Sequence, residues 1–317
     1  MSDSLATLSY AASPFDHPQA DIILRSSDNI DFRVFRLFLS LASPVFETMF
    51  GLPQPSEGAD PDEETKDGSP VVSVSEGSKT LDALLRFCYP STLAEDPSLD
   101  GFMFATEILE ASKKYSLDTI ERIVCKALFI PKILEVDSLP CFAVACRVGL
   151  LEQCALAAKY SLREPLIPAR FEGIELISST DLLARLAYHK NCANAVLALQ
   201  SNLVWIENHY QMYSAVYWMF GCGKCVPYSR SGKYLLFGNQ VAPWWEDFMN
   251  ETFVEIRERP CARTVEKEAD EAIRKFRAQY QCSGCSSAVS GGIQEFVTLF
   301  TNQMEEVIAK IQLELRF

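Results

Sequence analysis

The chain is 317 residues long, 48% apolar and 11% aromatic, which is enough for two or three domains with real cores and excludes a disordered chain. A formal net charge of −13 argues against general nucleic-acid binding, which needs clustered Lys and Arg to neutralise phosphates. The acidity is uneven: residues 1–131 hold 21 acids against 10 bases and residues 132–317 hold 21 against 19, a shift that places a domain boundary near Pro131.

Residues 1–20 show no basic segment followed by an apolar run, and no stretch reaches the roughly 18 apolar residues a bilayer requires. The expected location is cytoplasmic or nuclear. There the 11 cysteines, an odd number spread along the chain, are expected to be mostly reduced.

Residues 1–19, rich in Ser, Ala and Pro, predict a flexible lead-in. Asp21-Ile-Ile-Leu-Arg25 then reads as a buried strand and Ser26 to Asn29 as a turn. Ile30, Phe32 and Val34 alternate with Asp31 and Arg33 as a second strand. The period changes after this hairpin. Leu37, Leu41, Val45 and Met49 recur every four residues, with Phe38, Phe46 and Phe50 widening the stripe, as on a helix packed along one face. Pro44 predicts a break, with Ser43 capping a second short helix.

Residues 51–70 carry four prolines and six acids against one lysine, and read either as an exposed mobile loop or as an acidic docking segment. Val71 to Val74 predicts a third strand. Ser78 reads as the cap of a helix from Lys79 to Tyr89 that buries Leu81, Leu84, Leu85 and Cys88. Helical spacing recurs in Ala105, Ile108, Leu109, Ser112 and Tyr115, and again in Ile120, Ile123, Val124 and Ala127.

These residues resemble the BTB/POZ domain, whose signature is a strand followed by F-x-V-H-[KR]-x-x-L-x-x-x-S-x-x-F-x-x-M-F. Here it stands as Phe32, Val34, Phe35, Arg36, Leu39, Ser43, Phe46, Met49 and Phe50, with Phe35 in the place of the His. Lys113-Lys114-Tyr115 followed by Leu117 is similar to the pattern that opens the last helix pair of that fold.

The resemblance implies an α+β fold over residues 20–131, a short three-stranded sheet flanked by helices. It also implies a non-enzymatic protein-protein interaction module. Family members commonly form homodimers, and many dock on a cullin scaffold while recruiting a target for ubiquitin ligase action. Others act as transcriptional cofactors or pure oligomerisation scaffolds. The family's charged pair at the dimer seam matches Asp21 and Arg36, with a salt bridge inside one subunit as the alternative. Phe50 and Tyr89, at helix ends that contact partners in relatives, are candidate partner-binding residues or ordinary core.

Beyond Pro131 the pattern stays helical without a sharp signature, and the chain resembles the fungal group of BTB proteins with a cysteine-bearing C-terminal half. Residues 132–203 read as a helical extension. Residues 204–317 read as an aromatic- and Cys-rich, mainly helical domain, with helices from Thr264 to Tyr280 and from Ile293 to Leu315.

Two C-x-x-C turns, Cys222/Cys225 and Cys282/Cys285, each hold a glycine between the cysteines. Four thiolates about 2.3 Å from the metal make a closed zinc site with no open position for water, so zinc here would be structural. The 56 residues between the turns exceed the spacing of compact zinc ribbons, and unmetallated buried thiols or a thiol-redox pair remain as alternatives. His189 and Cys192 read either as a base and nucleophile or as a helix end with a solvated His.

Overall fold

The computed structural model describes residues 9–51, 64–221, 232–280 and 282–315. The chain divides into two compact units, residues 1–136 with 143–148, and residues 137–142 with 149–317. The second unit therefore holds most of what the sequence separates into an extension and an aromatic-rich domain.

The first unit is built on a hairpin. β2 (Ile22–Arg25) pairs antiparallel with β3 (Ile30–Val34), aligning Leu24 with Phe32 and Arg25 with Asp31. Asn29 closes the turn at φ 65°, a left-handed conformation that Asn accepts better than most residues. All four residues of β2 are buried, as the unbroken Ile-Ile-Leu run requires of a strand covered on both faces.

β5 (Ser69–Ser73) adds in parallel to the other edge of β2. These are the three expected strands, and two short ones extend them. β1 (Ser9–Tyr10) pairs parallel with β3, and β4 (Thr65–Lys66) pairs antiparallel with β5, giving the order β1-β3-β2-β5-β4. Too short to show a period, both lay inside stretches that read as irregular. From Ser9 onward the lead-in is tied to the fold: Ala11 N–H bonds Asp31 O, and Phe15 is fully buried. Residues 52–63 of the acidic loop lie outside the described residues, but its end is ordered, with Glu64 pairing with Arg25 and Lys66 with Asp31.

α1 (Arg36–Ala42) and α2 (Pro44–Gly51) follow, separated at Ser43. Ser43 Oγ accepts the Phe46 N–H at 3.1 Å and donates to Tyr115 O at 2.5 Å, so the predicted cap also ties the helix pair to a distant turn. The packed face is not the predicted four-residue stripe. Leu39 and Phe46 are buried, whereas Leu37 and Leu41 are 63% and 78% exposed.

α3 (Ser78–Cys88) begins at Ser78 itself. The Asp28 carboxylate, from the hairpin turn, accepts the Ser78 N–H at 2.8 Å and its hydroxyl at 2.6 Å, and so does the capping expected of Ser78. α4 (Phe102–Lys114), α5 (Asp118–Leu128) and α6 (Pro131–Leu134) complete this unit's own helices. On α5 the buried residues are Ile120, Val124 and Leu128, and the expected Ile123 points to solvent.

The chain passes between the units within α7 (Ser138–Val148). α8 (Leu151–Tyr160), α9 (Ser179–Leu197), α10 (Val204–Tyr210), α11 (Pro243–Glu258), α12 (Ala262–Gln279) and α13 (Ser283–Ile308) build the second unit, with a two-residue hairpin joining Leu235–Leu236 to Asn239–Gln240. Phe296 of α13 is its aromatic hub, with ring centroids 5.8 Å from both Trp205 and Trp245 and 5.9 Å from Phe300. Ile293, Phe296, Phe300, Met304 and Ile308 form the buried stripe, as their spacing predicts, and the helix ends at Ile308 rather than running to Leu315. Among the described residues no helix is long and apolar enough to cross a membrane.

Candidate protein-interaction surface

Phe35 and Arg36, which follow β3, meet Asp21, which precedes β2, at one end of the hairpin. Phe35, the residue in the signature His position, sits before α1 and has no side-chain cap to offer it. Asp21 fills that role from across the hairpin, its Oδ1 accepting the Arg36 N–H at 2.8 Å. The Asp21–Arg36 contact within the chain is therefore carboxylate to backbone, and no salt bridge joins the two side chains.

The Arg36 guanidinium instead lies 5.8 Å over the Phe50 ring, and its Nε is buried without a hydrogen-bond partner. A guanidinium nitrogen left this way costs free energy unless something else meets it. Phe50 is half-buried and stacks on Phe46 at 5.7 Å, so one face packs inward while its outer side carries Arg36. Next to Arg36, Leu37 and Leu41 lie four residues apart on the outward side of α1. The outward side of α1 thus carries two exposed leucines, the first next in sequence to an Arg36 whose Nε has no hydrogen-bond partner.

Tyr89 is only 7% exposed. Its ring packs against Phe15 at 5.2 Å and Phe38 at 5.0 Å, and its hydroxyl accepts the Phe35 N–H at 3.1 Å. It orients the entry to α1 from the inside. Burial pushes its phenol up to about 12.

At the turn end of the β2–β3 hairpin, away from Asp21 and Arg36, lies an ion cluster that the sequence reading did not isolate. Asp31 is fully buried and takes Arg25 Nε at 2.7 Å and Lys66 Nζ at 2.6 Å, while Arg25 also reaches Glu64 at 2.5 Å. Desolvation pushes the Asp31 carboxyl up, but the hydrogen bonds from Arg25 and Lys66 together outweigh it and hold the group below the ordinary Asp value. The hairpin register sets Arg25 directly opposite Asp31, and that pairing was legible once the turn was placed.

In the second unit, His189 and Cys192 are both buried inside α9. His189 Nε2 lies 3.1 Å from Glu164 O, and burial, with Arg185 nearby, pushes the imidazole down to about 4. Burial pushes the Cys192 thiol up to about 11. The pair is neither a solvated helix end nor an exposed base and nucleophile.

Of the four paired cysteines, Cys222 and Cys225 lie outside the described residues. Cys282 is the residue preceding α13 and Cys285 is in its first turn, so this C-x-x-C lies at a helix start. Among the described residues no group of three or more His, Cys, Asp or Glu side chains could hold a metal ion.

A family model for the BTB/POZ domain matches residues 14–129, which covers β2 to β5, α1 to α5 and the whole of this surface. No curated protein matches the chain.

Proposed function

Starting from a chain whose residues 14–129 are a BTB/POZ domain, and so a protein-interaction module, we propose that it self-associates through the outward face of α1. The supporting observation is the exposed Leu37–Leu41 pair beside the Arg36 Nε that finds no partner within the chain. In a two-fold assembly the same patch meets itself, so each copy buries the other's leucines. Asp21 is exposed and offers a carboxylate to the opposing Arg36, which makes the pair the charged seam of the assembly.

The reading is non-enzymatic. The His189–Cys192 pair, the main nucleophilic candidate, is enclosed by protein with its charged forms disfavoured. A finer role, bridging a target protein to a cullin scaffold, follows from the resemblance alone, and co-purification of the full chain with a cullin tests it.

Light scattering on the full-length protein tests self-association. The expected mass is about twice the 35.5 kDa of one chain. The double variant L37D/L41D should fall to the single-chain mass while keeping its helix content. A monomeric parent chain, or a double variant with undiminished mass, overturns the reading.

A further inference from the structure

We propose that Cys282 and Cys285 are a modification site, two thiols that close reversibly into one disulfide at the start of α13. The local backbone suits that bond. Ser283 and Gly284, which separate the two cysteines, are both helical, and the Ser286 N–H donates to Cys282 O at 2.9 Å to complete the turn. Helical backbone at the two middle positions sets the outer Cα atoms about 5 Å apart, inside the roughly 4.4–6.8 Å that a disulfide spans.

Access sets this pair apart from the cysteines of the core. Cys282 and Cys285 are half-buried, and Ser283 and Gly284 between them are exposed, so a small soluble disulfide can approach from solvent. Both cysteines line a cavity of about 180 Å3 whose wall also holds the half-exposed Tyr217. By contrast, Cys141, Cys154 and Cys192 are fully buried, and burial pushes the Cys141 thiol up to about 12 and the Cys192 thiol up to about 11. The start of a helix favours an anionic sulfur, and α13 has no acidic residue in its first turn to oppose it.

The oxidant is a low-molecular-weight disulfide, with glutathione disulfide as the probe. One cysteine thiolate attacks a glutathione sulfur, forming a mixed disulfide while the glutathione S–S bond breaks and one glutathione leaves. The second thiolate then attacks the protein sulfur of that mixed disulfide and releases the other glutathione. Two cysteine thiols are oxidised to one cystine, glutathione disulfide is reduced to two thiols, and those thiols take up the two protons.

Cleavage by trypsin after Arg277 and Lys310 gives a peptide that contains Cys282 and Cys285 and no third cysteine. The full-length chain is equilibrated with mixtures of glutathione and glutathione disulfide, quenched in acid, alkylated with iodoacetamide, digested and weighed. As the oxidised share rises, this peptide should pass from carrying two alkyl groups to carrying none, lighter by two hydrogens than the reduced peptide, and dithiothreitol should restore alkylation. Cys282→Ser and Cys285→Ser should each stop at the glutathione mixed disulfide, and if either variant misfolds the parent peptide decides alone. Two alkyl groups on the parent peptide throughout, a bond from either cysteine to a different peptide, no glutathione on either folded variant, or oxidation only after a chelator has stripped metal from the chain overturns the proposal.

Discussion

Asp21 and Arg36 meet through the backbone: Asp21 Oδ1 holds the Arg36 N–H at 2.8 Å while the guanidinium turns to the Phe50 ring. The two side chains therefore do different work, and their substitutions should separate. Asp21→Ala removes the group that caps α1 and should cost about 1 kcal/mol in urea unfolding, with Asp21→Asn costing less because an amide oxygen still accepts. Arg36→Ala removes an unsatisfied nitrogen and should leave the stability of the single chain nearly unchanged. Its effect should appear as a weaker assembly by light scattering. Equal loss of stability in both variants, with unchanged mass, would place the pair wholly inside one subunit.

The two units should answer acid differently. His189 has its pKa lowered to about 4 from an unfolded value near 6.5, so the unfolded chain binds its proton first. The stability His189 contributes is complete above pH about 6.5 and is lost as pH falls towards about 4, on the order of a few kcal/mol in all. Asp31 is also depressed, so its contribution is complete above the ordinary carboxylate value of about 3.9 and fails only below it. Near-ultraviolet circular dichroism, dominated by the Trp-rich second unit, should weaken between pH about 6 and 4 while amide exchange in β2 and β3 stays slow. His189→Gln should flatten the first transition. Asp31→Asn should cost about 3 kcal/mol at neutral pH by leaving buried Arg25 underpaired. Simultaneous loss of both units at one pH would contradict this assignment.

Thiol labelling separates the interaction module from an enzyme that uses Cys192. Cys192 is fully buried and its thiol is pushed up to about 11, so almost none of it is thiolate at neutral pH. Iodoacetamide on the native chain should leave Cys192 unmodified over the time that labels a free thiol in solution, and urea should expose it. Fast labelling of Cys192 in the folded chain would restore the catalytic reading.

How much of this could be read beforehand varies with the range over which each signal acts. The hairpin at Ser26–Asn29, the helix break at Pro44 and the Ser43 cap are set by neighbours within a few residues, and all three were legible. Asp28 capping α3 across 50 positions was not, because a carboxylate in a turn looks the same whether it faces water or a helix. Leu37 and Leu41 misled for a different reason. A four-residue period says that residues share a face, and a face left open to solvent can have the same period as one turned to the core. The exposure that tells them apart belongs to the fold. Likewise, both C-x-x-C turns were visible, but only the path of the second unit brings Gly221 and Cys282 to one cavity.

Two adjacent glycines in α13 should respond to alanine with opposite signs. A Cβ at Gly292 would lie 2.4 Å from the Trp218 indole, whose ring is wedged close to the helix backbone. Trp218 is buried and packs near Trp244 and Phe296, so the ring has little room to retreat. Overpacking of this kind costs on the order of 1–3 kcal/mol, more than the gain of up to about 1 kcal/mol from replacing a helical glycine. At Gly291 a Cβ meets nothing within 4 Å, and the position faces solvent. Only the propensity gain remains there, so Gly291→Ala should stabilise the chain by about 0.5–1 kcal/mol. Thermal or urea unfolding of the two single variants tests the close approach of Trp218 to α13. Stabilisation by both alanines would mean that the indole does not lie against Gly292.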